Sequence, residues 1–159
     1  MKSIFVLALL VAGVKAEAVE LPIYLGHVKG AVLTGLVGRE GFEFFPGEVG
    51  QCTRREAMDI LFYTCELKNA KTVVTAAGGA PLTVTYDALH VEYHSLKNGD
   101  IRRDYHFRGN WEQKTTLANL SSKVRLVLWH LKSAPHDLRG HLKLEDYSTF
   151  GAIQATPVP

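Results

Sequence analysis

Apolar and polar residues alternate along much of this chain. The clearest stretch runs from Leu82 to Trp111, LTVTYDALHVEYHSLKNGDIRRDYHFRGNW. A period of two marks a half-buried strand, and Lys97-Asn98-Gly99 interrupts it with a turn-forming triplet. A three-residue loop with Gly99 in the left-handed position fixes a hairpin register. Leu96 then faces Asp100, His94 faces Arg102, Glu92 faces Asp104 and His90 faces His106, all on one face. The other face pairs Val91 with Tyr105 and Leu89 with Phe107, and carries Tyr93 and Trp111. A two-residue Asn-Gly loop would set His94 against Arg103 and His90 against Phe107. That mixes the faces and is rejected on burial grounds.

The remaining segments read mostly as strands. Leu21–Lys29 and Ala31–Val37 are rich in apolar and β-branched residues. Gly38–Gly41 reads as a turn, and Phe42–Phe45 as a short strand ended by Pro46-Gly47. Thr53-Arg54-Arg55-Glu56 matches a capping box, which predicts a helical turn over 54–58 before a strand over 60–67. The alternative is one helix over 54–66 with free thiols. Lys71–Ala76 is a strand, and Gly78–Pro81 breaks the chain. Thr115–Ser122 is a polar connection containing the sequon Asn119-Leu120-Ser121. Lys123–Lys132 is apolar on both faces, which suits a strand crossing a barrel. A turn over 133–137 precedes a strand over 138–147, and the tail after Phe150 reads as loose. Eight or nine strands with at most one short helix predict an all-β antiparallel barrel or sandwich.

The N-terminus changes the compartment. Lys2 precedes the apolar run Ile4–Val14, about 11 residues where a membrane span needs roughly 20. Small residues follow it, so residues 1–16 read as a secretory signal peptide and 17–159 as a single β domain. Localisation would be periplasmic or secreted. Lys+Arg number 18 against 16 Asp+Glu, and loss of Lys2 and Lys15 leaves the two balanced. A neutral domain argues against a nucleic-acid partner, and no later stretch is apolar enough to span a bilayer. Cys52 and Cys65 would form a disulfide by default in an exported chain, with free thiols or a redox pair as alternatives.

Two faces of the hairpin carry candidate chemistry. His90, Glu92 and His106 fall within one patch, and imidazole with carboxylate suits zinc, copper or nickel. His90 and His94 are ~13 Å apart along a strand, so they are not expected to share one ion. The competing reading is a solvated face of mixed charge. The apolar face offers Leu89, Val91, Tyr93, Tyr105, Phe107 and Trp111, joined by Trp129 and Phe62. These either fill a core or surround an apolar, lipid-like small molecule. There is no nucleophile motif, no nucleotide loop and no clustered cysteine ligand, so the expectation is a non-enzymatic protein without a cofactor.

Three segments carry a resemblance. Phe107-Arg108-Gly109-Asn110-Trp111, then Ser122-Lys123-Val124-Arg125-Leu126, then Asp146-Tyr147-Ser148-Thr149-Phe150-Gly151-Ala152-Ile153 follow an order similar to the YceI-like family of exported antiparallel barrels. The likeness covers about 45 residues of the C-terminal half; residues 17–80, with Cys52 and Cys65, do not follow the family's pattern. It implies an isoprenoid-like lipid inside the barrel and no catalysis. The expected function is therefore apolar-ligand binding. The alternatives are a protein-interaction module with a filled core and an exported metal-binding protein.

Overall fold

A computed structural model describes residues 17–19, 25–34, 38–75, 80–114, 117–144 and 150–159. The segment read as a signal peptide lies outside the described residues. Ten strands are present: β1 Glu17–Val19, β2 Val28–Thr34, β3 Gly38–Phe45, β4 Glu48–Ala57, β5 Ile60–Thr75, β6 Leu82–Ser95, β7 Ile101–Lys114, β8 Asn119–Leu131, β9 Ala134–Leu144 and β10 Phe150–Pro157. All pairings are antiparallel, in the order β1-β4-β5-β3-β2-β10-β9-β8-β7-β6, and β6 pairs back onto β5. That last pairing closes an eight-stranded barrel of β2, β3 and β5–β10. Of the barrel and the sandwich that the alternation allows, the chain forms the barrel.

The long strand β5 has two partners along one edge. Its upper half pairs with β3 and its lower half with β4, while its other edge pairs with β6 throughout. β3 and β4 are thus nearly one strand, interrupted at Pro46-Gly47. Gly47 has φ +63, and a Cβ there would collide with the backbone of Lys68, Asn69 and Ala70, so the interruption requires glycine. β5 answers with a bulge between Glu66 and Ala70, and β6 with one between Tyr86 and Ala88. The extra residues reset the alternation. Tyr86 and Leu89 can therefore both point inward on one strand.

Four expectations are corrected. The capping box forms no helix: residues 48–57 are strand, and Met58-Asp59, both with positive φ, make a two-residue hairpin turn into β5. Pairing with β5 satisfies the backbone groups a helix would have satisfied internally, so the tertiary contact overrides the local signal. Gly38–Gly41 is strand paired to β2 rather than a turn. Residues 134–137 are strand rather than turn. The tail is not loose: β10 lies between β9 and β2, with Gly151, Ile153 and Ala155 buried.

Cys52 and Cys65 are direct partners on β4 and β5, bonded with Cα atoms 4.1 Å apart. The bond sits below the switch from β3 to β4 and ties β4 to the barrel. Among the described residues no helix is long and apolar enough to cross a membrane.

The interior is packed with side chains. Phe44, Tyr86 and Phe107 meet at the waist, with Phe44 4.8 Å from Phe107 and Tyr86 5.6 Å from Phe107 between ring centroids. The hydroxyls of Tyr86 and Thr72 bond each other at 2.9 Å, so this aromatic plug carries no orphaned polar atom.

Candidate metal centre

The hairpin register read from the sequence is the one formed. His94 pairs with Arg102, Glu92 with Asp104, His90 with His106, Val91 with Tyr105 and Leu89 with Phe107. Gly99 takes φ +84, as the three-residue loop requires. The Leu96 amide donates to the Asp100 carbonyl at 2.8 Å, closing the loop. Strand pairing alone therefore places three histidines and two carboxylates on the outer face of β6 and β7.

Glu92 is the centre of that patch. Its Oε1 lies 3.2 Å from His90 Nε2 and 3.8 Å from His106 Nε2, and its Oε2 accepts from His94 Nε2 at 2.8 Å. No lysine or arginine forms an ion pair with Glu92 among the described residues. Asp104, its cross-strand partner, is engaged differently. Arg102 donates from Nε and Nη2 to its two oxygens at 2.7 and 2.9 Å, and the guanidinium lies 4.5 Å over the Trp129 ring.

The surroundings set the state of the imidazoles. Burial lowers the His106 pKa, opposed in part by Glu92 and Asp104, so its ring is neutral at neutral pH. Its Nε2 is buried and has no hydrogen-bond partner among the described residues. His90 Nδ1 lies 3.1 Å from Thr64 Oγ1, and Phe62 stacks on the ring at 5.6 Å. A hydroxyl at Nδ1 can accept its proton and leave Nε2 free as a ligand. Ligand atoms of Glu92, His94 and Asp104 all lie within 4.8 Å of one another, but Arg102 already holds both oxygens of Asp104. The set with uncommitted lone pairs is His90, Glu92 and His106, with His94 on the other oxygen of Glu92. Zinc–ligand bonds of 2.0–2.2 Å put neighbouring ligand atoms roughly 3.3 Å apart in a tetrahedron. The two Glu92–imidazole distances bracket that value, and the His90 and His106 rings, 5.9 Å apart between centroids, would have to close together to share an ion.

His90 and His94 lean toward one carboxylate from opposite sides, which Cα spacing along the strand does not reveal. They contact different oxygens of Glu92.

The apolar set is distributed differently. Leu89, Val91, Tyr105 and Phe107 are fully buried inside the barrel, and Tyr93 and Trp111 pack against them, half-buried, toward opposite ends. Trp129 and Phe62 do not line the interior. Trp129 pairs with Asp104 on the outer face under Arg102. Phe62 pairs with Glu92 on that same face. Strand parity decides both: Leu126 and Leu128 point in, so Trp129 points out. At the upper end, Val32, Glu40, Val74, Leu82, Leu142 and Leu144 surround an opening of about 70 Å³. A groove of about 480 Å³ along Ala80, Pro81, Leu82 and Trp111 adjoins it.

The chain matches no protein-family model, and no curated protein and no solved structure matches it.

Proposed function

We propose that the protein is an exported, non-enzymatic binding protein that holds a transition-metal ion of the zinc or copper class on the outer face of β6 and β7. The supporting observation is one carboxylate oxygen, Glu92 Oε1, flanked by two imidazole nitrogens at 3.2 and 3.8 Å with no cationic side chain on it. His90, Glu92 and His106 supply three ligands, and solvent supplies the fourth. The disulfide between buried cysteines supports an oxidising compartment. Isothermal titration with Zn²⁺ and with Cu²⁺ tests the reading. Saturable one-to-one binding that is lost in His90→Ala and His106→Ala supports it, and no binding at micromolar metal overturns it.

The apolar rim at the upper end favours a second reading, an apolar or lipid-like guest of the kind the YceI-like resemblance implies. The packed waist confines such a guest to the rim groove, since a pocket for a small molecule occupies roughly 300–1,000 Å³. Native mass spectrometry separates the two. A metal adduct supports the first reading and a co-purified lipid the second. A bare mass supports a filled-core interaction module instead.

A further inference from the structure

The inner face of the same strands carries a second constellation, at the lower end of the barrel. Tyr93, Arg103 and His130 face inward on β6, β7 and β8 and are successive cross-strand partners. Tyr105 lies one residue pair deeper, its ring stacked on His130 at 5.8 Å. The Arg103 guanidinium is 5.6 Å from the centre of the Tyr93 ring. Tyr63 meets the same ring edge-on at 5.6 Å.

This row contains a cation with no counter-charge. Among the described residues Arg103 forms no ion pair, whereas Arg54, Arg102 and Arg139 each contact a carboxylate. The carboxylates of β6 and β7 near this level, Glu92 and Asp104, have the opposite parity and point outward. Arg103 Nε and the Tyr93 hydroxyl are buried and lack hydrogen-bond partners among the described residues. A buried donor left without an acceptor destabilises the fold.

The free polar atoms are donors. Burial raises the pKa of both Tyr93 and Tyr105, so both phenols stay protonated. His130 Nδ1 lies 3.0 Å from the Leu131 carbonyl, and its Nε2 faces the Tyr105 hydroxyl at 3.5 Å. What the row lacks is an anionic acceptor. Arg103 Nε and the Tyr93 hydroxyl are orphaned side by side, and a ligand with two acceptor oxygens would serve both while meeting the guanidinium charge. Tyr93 and Arg103 are only half-buried, so the row is reached from the lower end.

We propose that the lower end of the barrel interior binds a small oxyanion, a carboxylate in particular, through the guanidinium of Arg103 and the hydroxyl of Tyr93. Two carboxylate oxygens match the planar fork of a guanidinium. The site lies on the opposite side of the sheet from the histidine patch and is independent of it. A carboxylate could come from a small organic acid or from the acid end of a longer molecule. The aromatic plug of Phe44, Tyr86 and Phe107 leaves no path for a chain up the barrel, which favours the small acid.

The test is thermal unfolding at constant ionic strength, with chloride replaced by acetate, by phosphate, or by sub-micellar dodecanoate. The expected result is a saturable rise in Tm, about 3–6 °C at ten times the Kd. The rise disappears in Arg103→Met and persists in Arg102→Met, whose guanidinium is on the outer face. Should Arg103→Met fold poorly, Tyr93→Phe removes only the hydroxyl and weakens the response. The Arg103 Nε–H resonance moves on titration with acetate. A rise with acetate identifies a small acid as the ligand, and a rise with dodecanoate alone identifies the acid end of a longer molecule. No saturable rise with any anion, or an unchanged rise in Arg103→Met or Tyr93→Phe, overturns the proposal. Glu92→Gln leaves the response intact, so loss of the metal site and loss of this one are separately visible.

Discussion

Glu92 and Asp104 are direct partners across β6 and β7, yet they have opposite company. Asp104 is gripped by Arg102 through both oxygens, whereas Glu92 meets only imidazoles. Two carboxylates side by side would repel. The arginine neutralises one and leaves the other available to a cation of different chemistry.

Glu92→Gln therefore separates the two roles. The amide keeps the shape but loses the charge and one acceptor oxygen. Zn²⁺ affinity should fall at least 10–100-fold, the range seen even for groups that only orient ligands. Because Glu92 lies on the outer face, its urea midpoint without metal should stay close to that of the parent. Titration calorimetry paired with urea unfolding reads both.

Stability should fall as pH drops from neutral. Burial is the first cause of a lowered pKa at His106, His130 and His141. In the unfolded chain each imidazole titrates near 6.5, roughly its ordinary value. Just below that pH the unfolded state binds more protons than the folded state, so stability is present above ~6.5 and is lost as pH falls through the window beneath it. Urea midpoints in metal-free buffer at neutral and mildly acidic pH measure this. His130→Gln should flatten the slope, and a midpoint that rose on acidification would contradict the assignment.

Opening the disulfide should cost about 3 kcal/mol in the chain-entropy account for a loop of this size. The bridge ties β4 to β5, and the histidine cluster stands on β6 and β7. Cys52→Ala with Cys65→Ala should therefore lower the denaturant midpoint while leaving metal affinity within a few-fold. Parallel unfolding and titration of the double variant check both halves.

The interior should respond as a filled core. Val91 and Leu89 are fully buried among aromatic neighbours. Val91→Trp should destabilise by about 1–3 kcal/mol or more through overpacking. Leu89→Ala should cost about 2–5 kcal/mol through the void it leaves. If Val91→Trp folded with unchanged stability and merely stopped taking up an apolar dye, the interior would be a ligand chamber.

The central hairpin was legible because two independent signals agreed. Lys97-Asn98-Gly99 allows only a few loop geometries, and only one of them separates the apolar face from the charged one. Other strands were less legible. The capping box at Thr53 is a real local signal, defeated by hairpin pairing of β4 with β5 across Met58-Asp59. The last strand turns small residues inward at Gly151 and Ala155, so it lacks the bulky alternation that marks a strand. Arg103 was readable by parity alone, since it sits between Ile101 and Tyr105 on the inward register. The expectation that charge points outward hid it. The side-chain lean that brings His90 and His94 to one carboxylate has no signature in Cα spacing.

The seam between β2 and β10 joins early and late parts of the chain. During vectorial synthesis β2 emerges long before residues 150–157, so it waits with one edge unpaired while β9 waits on the other side. Such closure is a high-contact-order event and is intrinsically slow. For that interval the nascent sheet has two bare edges open to a neighbouring chain. A chain of this topology gains from remaining unfolded, or escorted, until its last strand is available.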